Sequence, residues 1–204
     1  MNEVILCGSG LHSRAVLSLL QLLGFAVPYI LVANPDSHYN SPSGIPIRGP
    51  LSLLPDRSDT FAFLAIEGNQ QREDAAKRFK NVNWVTLIHP NAWVDPSARL
   101  GLGSYVAAGV VINAKAVAGD HVLVGTGASV GHDCIVEDFV QLESGVRLGG
   151  GARLGRGCLC GIGSSVVPNI TVGNWTTLGP RAVVVKSVPP RSDFGGVPAQ
   201  SLKQ

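Results

Sequence analysis

Charge is scarce in this chain. Only 15% of its 204 residues are Asp, Glu, Lys or Arg, and the net charge is +2. So small a balance offers no electrostatic footprint for nucleic acid or an anionic membrane surface. A surface this poor in charge is expected to be covered by a partner, through oligomerisation. No run of eighteen apolar residues occurs, so no membrane-spanning helix is expected. No CxxC pair occurs among the four cysteines. Cys7, Cys134, Cys158 and Cys160 read as buried small hydrophobes, not as ligands or disulfide partners. The N-terminus has no basic stretch or cleavage site. It opens directly as an apolar strand, Glu3-Val4-Ile5-Leu6, and a cytoplasmic protein is expected.

What the chain does have is glycine, 25 residues of it beside 13 prolines, and a period of six. Sixteen unbroken six-residue blocks run from Val94 to Pro189. Fourteen of the sixteen first positions are Val, Leu or Ile; the other two are Ala118 and Cys160. Fifth positions are restricted to small or β-branched residues, and second positions are often glycine, as at Gly101, Gly131 and Gly161. This period fits neither a helix nor a simple alternating strand; it is the signature of a β-helix. Each block makes a short strand and a turn, and three blocks make one triangular coil. First-position side chains fill the axis, and fifth-position ones fit beside them. Glycine at the second position is expected to let the chain turn the corner without a Cβ clash.

Residues 1–88 have another texture. Val4-Ile5-Leu6-Cys7 reads as a buried parallel strand. Gly8-Ser9-Gly10-Leu11-His12-Ser13 follows, then a helical pattern from Ala15 to Leu23 closed by Gly24. Further strands are expected at Val27 to Val32, Phe61 to Ile66 and Val82 to Leu87, with a polar helix near Asn69 to Lys80. This alternation predicts a small Rossmann-like α/β domain over 1–88, joined to the prism of 89–204 around Ile88-His89-Pro90-Asn91. The Gly8 loop stands where such a sheet presents its ligand edge, before a helix N-terminus that favours phosphate. It is not a full dinucleotide fingerprint, for no third glycine follows. No acidic residue ends the second strand, where Ala33 and Asn34 stand, although Asp36 is close by.

Several motifs together carry a resemblance over essentially the whole chain. They are Gly8-Ser9-Gly10-Leu11-His12, Gly44-Ile45-Pro46-Ile47-Arg48-Gly49, Phe63-Leu64-Ala65-Ile66, Ile88-His89-Pro90, Gly131-His132-Asp133-Cys134-Ile135-Val136-Glu137-Asp138 and Gly195-Gly196-Val197-Pro198-Ala199. The chain resembles the hexapeptide-repeat sugar acetyltransferases. This family includes sialic acid O-acetyltransferases and the N-acetyltransferases of nucleotide-linked amino sugars of the bacillosamine and perosamine type. The resemblance implies a sugar-nucleotide-binding domain over 1–88. It implies a left-handed parallel β-helix acyltransferase domain with a C-terminal tail over 89–204. It also implies a homotrimer with acetyl-CoA between adjacent prisms, and transfer of acetyl to a nucleotide-linked amino sugar in surface-glycan biosynthesis. O-acetylation of a sugar, and a non-catalytic trimeric scaffold, are the alternatives.

The family's general base matches His132, which the six-residue rule points outward. Residues eighteen apart stack, so Ala114 and Gly150 should lie below and above it, small enough to leave space for substrate and pantetheine. Asp133 would orient the imidazole, and the Gly150 N–H would hold the oxyanion. Gln141, Gly150, Gly161, Ile162 and Gly179 are the implied acetyl-CoA positions. Gly8, Ser9, Gly10, His12, Asn34 and Asp36 are the implied acceptor positions. No metal is implied. A carbonic-anhydrase-type metal site needs histidines two coils apart, whereas His121 and His132 are eleven residues apart and no histidine follows. His38 and His121 are expected at the surface, and His89 at the joint. Three departures touch the acceptor half: Leu11 replaces a glycine, the acid after strand two is missing, and Glu67-Gly68-Asn69 replaces Gly-Asp/Asn-Asn. Gln141 stands where many relatives have a second histidine.

Overall fold

The structure is a computed structural model, and it describes residues 3–32 and 44–202. The chain divides into two compact units, Met1–Leu87 and Ile88–Gln204.

The first unit holds strands β1 (Ile5–Cys7), β2 (Ile30–Val32), β3 (Ile47–Pro50), β4 (Phe61–Leu64) and β5 (Asn83–Trp84), and helices α1 (Leu11–Leu22) and α2 (Asn69–Arg78). The strands form one sheet in the order β3-β2-β1-β4-β5, with every pair parallel. Parallel strands are covered on both faces, so they read as continuous apolar runs. Ile5, Cys7 and Leu64 join Ala75 and Phe79 in one buried cluster, and alternation sends Leu6 and Phe63 to the other face. Both are fully buried. Strand β3 was not apparent from the sequence: its short run Ile-Arg-Gly-Pro contains a single strong strand former. The expected strand over 27–32 shortens to Ile30–Val32, because Pro28 has no N–H for a ladder.

Chain order reverses between β1 and β4, since β2 and β3 lie on one side of β1 and β4 on the other. At such a reversal the loops leaving the strand ends separate and open a crevice. Here those loops are Gly8–Gly10 and Ala65–Gly68. Gly8 is needed there: its φ is +123°, and a Cβ would lie 2.4 Å from the Ala65 carbonyl oxygen.

The second unit is a parallel β-solenoid with three faces. The first carries Trp93–Val94, Val111–Ile112, Ser129–Val130, Arg147–Leu148, Ser165–Val166 and Val183–Val184. The second carries Arg99–Leu100, Val117–Ala118, Ile135–Val136, Arg153–Leu154 and Thr171–Val172. The third runs from Leu87–Ile88 through Tyr105–Val106, Leu123–Val124, Gln141–Leu142 and Leu159–Cys160 to Thr177–Leu178. It ends in Asp193–Gly195 and an antiparallel strand, Gln200–Ser201. Neighbours pair eighteen residues apart, as Val111 with Ser129 and Ile135 with Arg153. First- and fifth-position side chains fill the interior, and Val106, Val110, Cys134, Val140 and Cys160 are completely buried.

The turns correct one expectation. The residue with positive φ is the fourth of the block, in fourteen of the sixteen blocks, not the second. Seven of these are glycines, among them Gly127, Gly145 and Gly163. Seven are not: Lys115, His121, Asp133, Phe139, Asn169, Trp175 and Arg181, all with φ between 55° and 61°. Glycine at the second position answers a different need, coil stacking. A Cβ on Gly131 would lie 2.7 Å from the Gly150 nitrogen and the Leu148 carbonyl oxygen of the next coil.

Candidate active site

His132 and Asp133 are the third and fourth residues of a block, in the corner between Ser129–Val130 and Ile135–Val136. The left-handed backbone at Asp133 folds its carboxylate back on its neighbour. Asp133 Oδ2 lies 2.8 Å from His132 Nδ1. Both side chains are exposed, 70% for His132 and 58% for Asp133. A carboxylate at Nδ1 favours the tautomer with the proton there, leaving Nε2 as a proton acceptor.

Gly150, eighteen residues on, does not leave an open space as expected. The His132 ring lies over it: a Cβ on Gly150 would sit 2.5 Å from Nε2. Glycine is therefore what lets the imidazole lie against the prism. The Gly150 N–H makes no hydrogen bond among the described residues, so it is open as a donor beside Nε2.

The remaining donor-site candidates are not beside this pair. Gly161, Ile162 and Gly179 lie in the corner between the third and first faces, following Leu159–Cys160 and Thr177–Leu178. Gln141 lies on the third face itself, opposite the His132 corner. Within one prism the candidates thus fall into two groups with the first face between them. Gly161 is a stacking glycine, since a Cβ would lie 2.8 Å from the Leu178 oxygen and the Pro180 nitrogen. Gly179 is under no such pressure, its nearest neighbour being 3.5 Å away. Ile162 is 58% exposed, an apolar side chain presented to solvent. Gln141 Oε1 is buried without a hydrogen-bond partner among the described residues.

In the first unit a pocket of about 700 Å³ opens at the β1/β4 reversal, lined by Gly8, Ser9, Gly10, Glu67, Asp74 and Arg78 among others. The His12 backbone N–H, at the helix N-terminus expected to favour phosphate, already donates to Glu67 Oε1 at 2.8 Å. The His12 side chain is largely enclosed. Burial lowers its pKa to about 4, with Glu67 opposing the shift and Arg72 adding to it, so the ring is neutral near pH 7. Arg72 is a fully buried cation. Its guanidinium donates to Ile66 O at 2.8 Å, Glu67 O at 3.2 Å and Asn69 Oδ1 at 2.9 Å. Asn34, Asp36 and His38 lie outside the described residues. Glu67 was visible in the sequence only as a departure from a motif. Its contact with His12 spans 55 residues, and no periodicity signals that.

No family model matches the chain. Solved structures do. Perosamine N-acetyltransferase from Caulobacter crescentus, with a His-to-Asn substitution and in complex with CoA and GDP-perosamine, is 33% identical. The match covers 100% of this chain and 98% of that one, with a TM-score of 0.92. The chain belongs to the hexapeptide-repeat sugar N-acetyltransferases. The acetyltransferase domain of PglB from Neisseria gonorrhoeae, in complex with acetyl coenzyme A, is 33% identical over 99% of this chain and 100% of that one, with a TM-score of 0.90. WeeI from Acinetobacter baumannii shares the fold, at a TM-score of 0.75 and 19% identity. An uncharacterized protein of Acanthamoeba polyphaga mimivirus is 29% identical over 120 residues. The match covers 59% of this chain, and the chain spans 24% of that curated relative.

The chain also carries a stack of side chains in the corner between the second and third faces. His121 belongs to it and is not at the surface, being only 4% exposed. Its ring stacks on Phe139 at 5.2 Å between centroids, with Arg156 over the other ring at 4.9 Å. Asp120 Oδ1 accepts the Leu102 N–H at 2.8 Å, and Asp138 Oδ1 accepts the Asp120 N–H at 2.9 Å. A fourth-position side chain can lie flat over the turn of the coil below, which the outward rule overlooks. His89 Nδ1 accepts the Asn91 N–H at 3.0 Å. The four cysteines are buried and form no disulfide among the described residues. Cys134 and Cys158 donate to the carbonyls of Gly149 and Gly173, and burial raises the pKa of each. No helix among the described residues is long and apolar enough to cross a membrane.

Proposed function

We propose that the chain moves acetyl from acetyl-CoA to the amino group of a nucleotide-linked amino sugar. The observation that carries this is the His132–Asp133 pair beside an open Gly150 N–H, in a family whose solved members hold CoA with GDP-perosamine. Acetyl-CoA supplies the activated thioester. His132 Nε2 takes the proton from the attacking amine and returns one to the departing sulfur. Asp133 holds the ring and stabilises the imidazolium that forms in between. The Gly150 N–H donates to the negative charge that develops on the carbonyl oxygen.

The solenoid is read as a left-handed β-helix, and the first unit as a Rossmann-like domain binding the nucleotide at the β1/β4 crevice. The assembly is read as a homotrimer. The split of the candidates between two corners supports this, because a neighbouring prism can bring its Gly161–Ile162 corner to the His132 corner. Ile162 then offers apolar surface to the pantetheine arm, and Gly179 offers room. Gln141 would face the acetyl end, where its side-chain amide N–H is the group able to donate. The reading places the protein in the cytoplasm, where acetyl-CoA and nucleotide sugars are held.

The test is thiol release from acetyl-CoA in the presence of GDP-, UDP- and dTDP-linked amino sugars, each against its hydroxyl counterpart. Turnover with at least one amine acceptor is expected. Turnover with hydroxyl sugars alone would show O-transfer, and none with any acceptor would favour a scaffold.

A further inference from the structure

The crevice at the β1/β4 reversal already contains an anion. Glu67 follows β4, lines the pocket and accepts the His12 N–H at 2.8 Å. Its Oε1 also lies 3.4 Å from the point where Gly10 would carry a Cβ. The first turn of α1 has no acidic residue of its own, and its N-cap Gly10 makes no side-chain cap. The carboxylate that satisfies this turn therefore comes from 55 residues away. The loop that carries it is fixed from beneath, for the buried Arg72 holds the carbonyls of Ile66 and Glu67 and the Asn69 side chain. Among the described lining residues Asp74 adds a second carboxylate and Arg78 is the one cation.

We infer that Glu67 is an affinity-setting residue of this pocket, an internal anion that competes with the phosphates of the acceptor. This rests on the acceptor reading above. A phosphate approaching the N–H groups of Ser9, Gly10 and Leu11 meets a fixed negative charge within a few ångströms. It must either displace Glu67 from His12 or bind beside it. A like charge at that range weakens binding by on the order of tenfold at a partly solvated site. The cost falls on the phosphates whatever base the nucleotide carries, and it shrinks as salt screens the pair. Glu67 thus sets how much of the acceptor's affinity has to come from base and sugar contacts.

The experiment is calorimetry of GDP and UDP on the full chain, wild type beside Glu67→Gln and Glu67→Gly. Gln keeps the shape of the side chain, and Gly removes it. Both variants are expected to bind both nucleotides about tenfold tighter at low salt, with the gain shrinking at high salt. Unchanged or weaker binding of both nucleotides in both variants overturns the inference and leaves the acceptor reading standing. A loss confined to GDP also overturns it, since Glu67 would then be reading the base. If none of the three proteins binds either nucleotide while acetyl-CoA still binds, the inference and the acceptor reading fall together. Binding that appears only in the variants supports the inference.

Discussion

The prism and the sheet unit use sequence in opposite ways. In the prism a side chain's direction follows from its place in a six-residue block, and its neighbours are eighteen residues away on either side. His132 is exposed, Gly150 lies against it, and Cys134 points inward, all by counting. In the sheet unit the ligand edge is assembled from loops far apart in sequence. Glu67 reaches His12 across 55 residues, and Arg72 holds the loop between them in place. The solenoid therefore yields its chemistry to periodicity, whereas the sheet yields its chemistry only to coordinates.

The sharpest way to break this comparison is at His132. His132→Ala should lower turnover by about 100-fold or more, the worth of a general base, and leave CoA affinity nearly unchanged. In the proposed mechanism proton removal depends on one imidazole, while the donor is held along a different corner. Stability should not move, because the side chain is 70% exposed. Asp133→Asn should cost less, since it alters the orientation and basicity of the ring without removing it. Near-full acetyl transfer by purified His132→Ala would mean that the acceptor amine needs no base.

Next in size is a contrast between two glycines of one corner. A Cβ on Gly161 meets the backbone of Leu178 and Pro180 at 2.8 Å, while one on Gly179 meets nothing closer than 3.5 Å. Gly161→Ala should destabilise the prism by about 1–3 kcal/mol, the cost of overpacking a rigid neighbour. Gly179→Ala should leave the melting temperature alone and weaken CoA binding. Equal melting temperatures for the two variants would show that coils can spread, and that the stacking argument is wrong.

These contrasts mark what could be read in advance. The six-residue register set which residues face the axis. It misplaced the left-handed position by two, because glycine is frequent at both the second and the fourth places for different reasons. Counting alone cannot separate a turn from a close approach. It also put His121 at the surface, since the outward rule ignores a ring that lies flat on the next one. In the sheet unit β1, α1, β4 and α2 were legible from apolar runs and helical spacing. Strand β3 and the Glu67 contact were not, because tertiary pairing creates them.

A pH titration tests the sheet unit more gently. Burial lowers the His12 pKa from 6.5 to about 4. Between these values the unfolded chain takes up a proton at His12 that the folded one refuses. Stability should therefore fall as pH drops from about 6.5 towards 4, and be unaffected by this group above 6.5. His12→Gln should flatten that part of the stability–pH curve. If wild type and His12→Gln lose stability in parallel over this window, the ring is not enclosed as described.

The smallest effect probes the fourth-position rule within the prism. Lys115 has a φ of +58°, a conformation that crowds its Cβ and that glycine adopts freely. Its side chain is exposed, and its backbone N–H donates to Ser97 Oγ at 3.0 Å, a bond that glycine would keep. Lys115→Gly relieves the crowding but adds disorder to the unfolded chain. The first term exceeds the second, so a gain of about 0.5 kcal/mol is expected, or ~1–2 °C in melting temperature for a chain this size. Asn169→Gly, at the same place in its block with a φ of 61°, should gain less, because Asn tolerates this conformation better than Lys. Asp133 holds that place for another reason, since only there does its carboxylate fold back to His132. Asp133→Gly should therefore gain as little stability as Asn169→Gly and lose activity, two effects that part only where the left-handed residue is also the functional one. Should Lys115→Gly lower the melting temperature, the left-handed turns carry no strain, and Asp133 needs a different account.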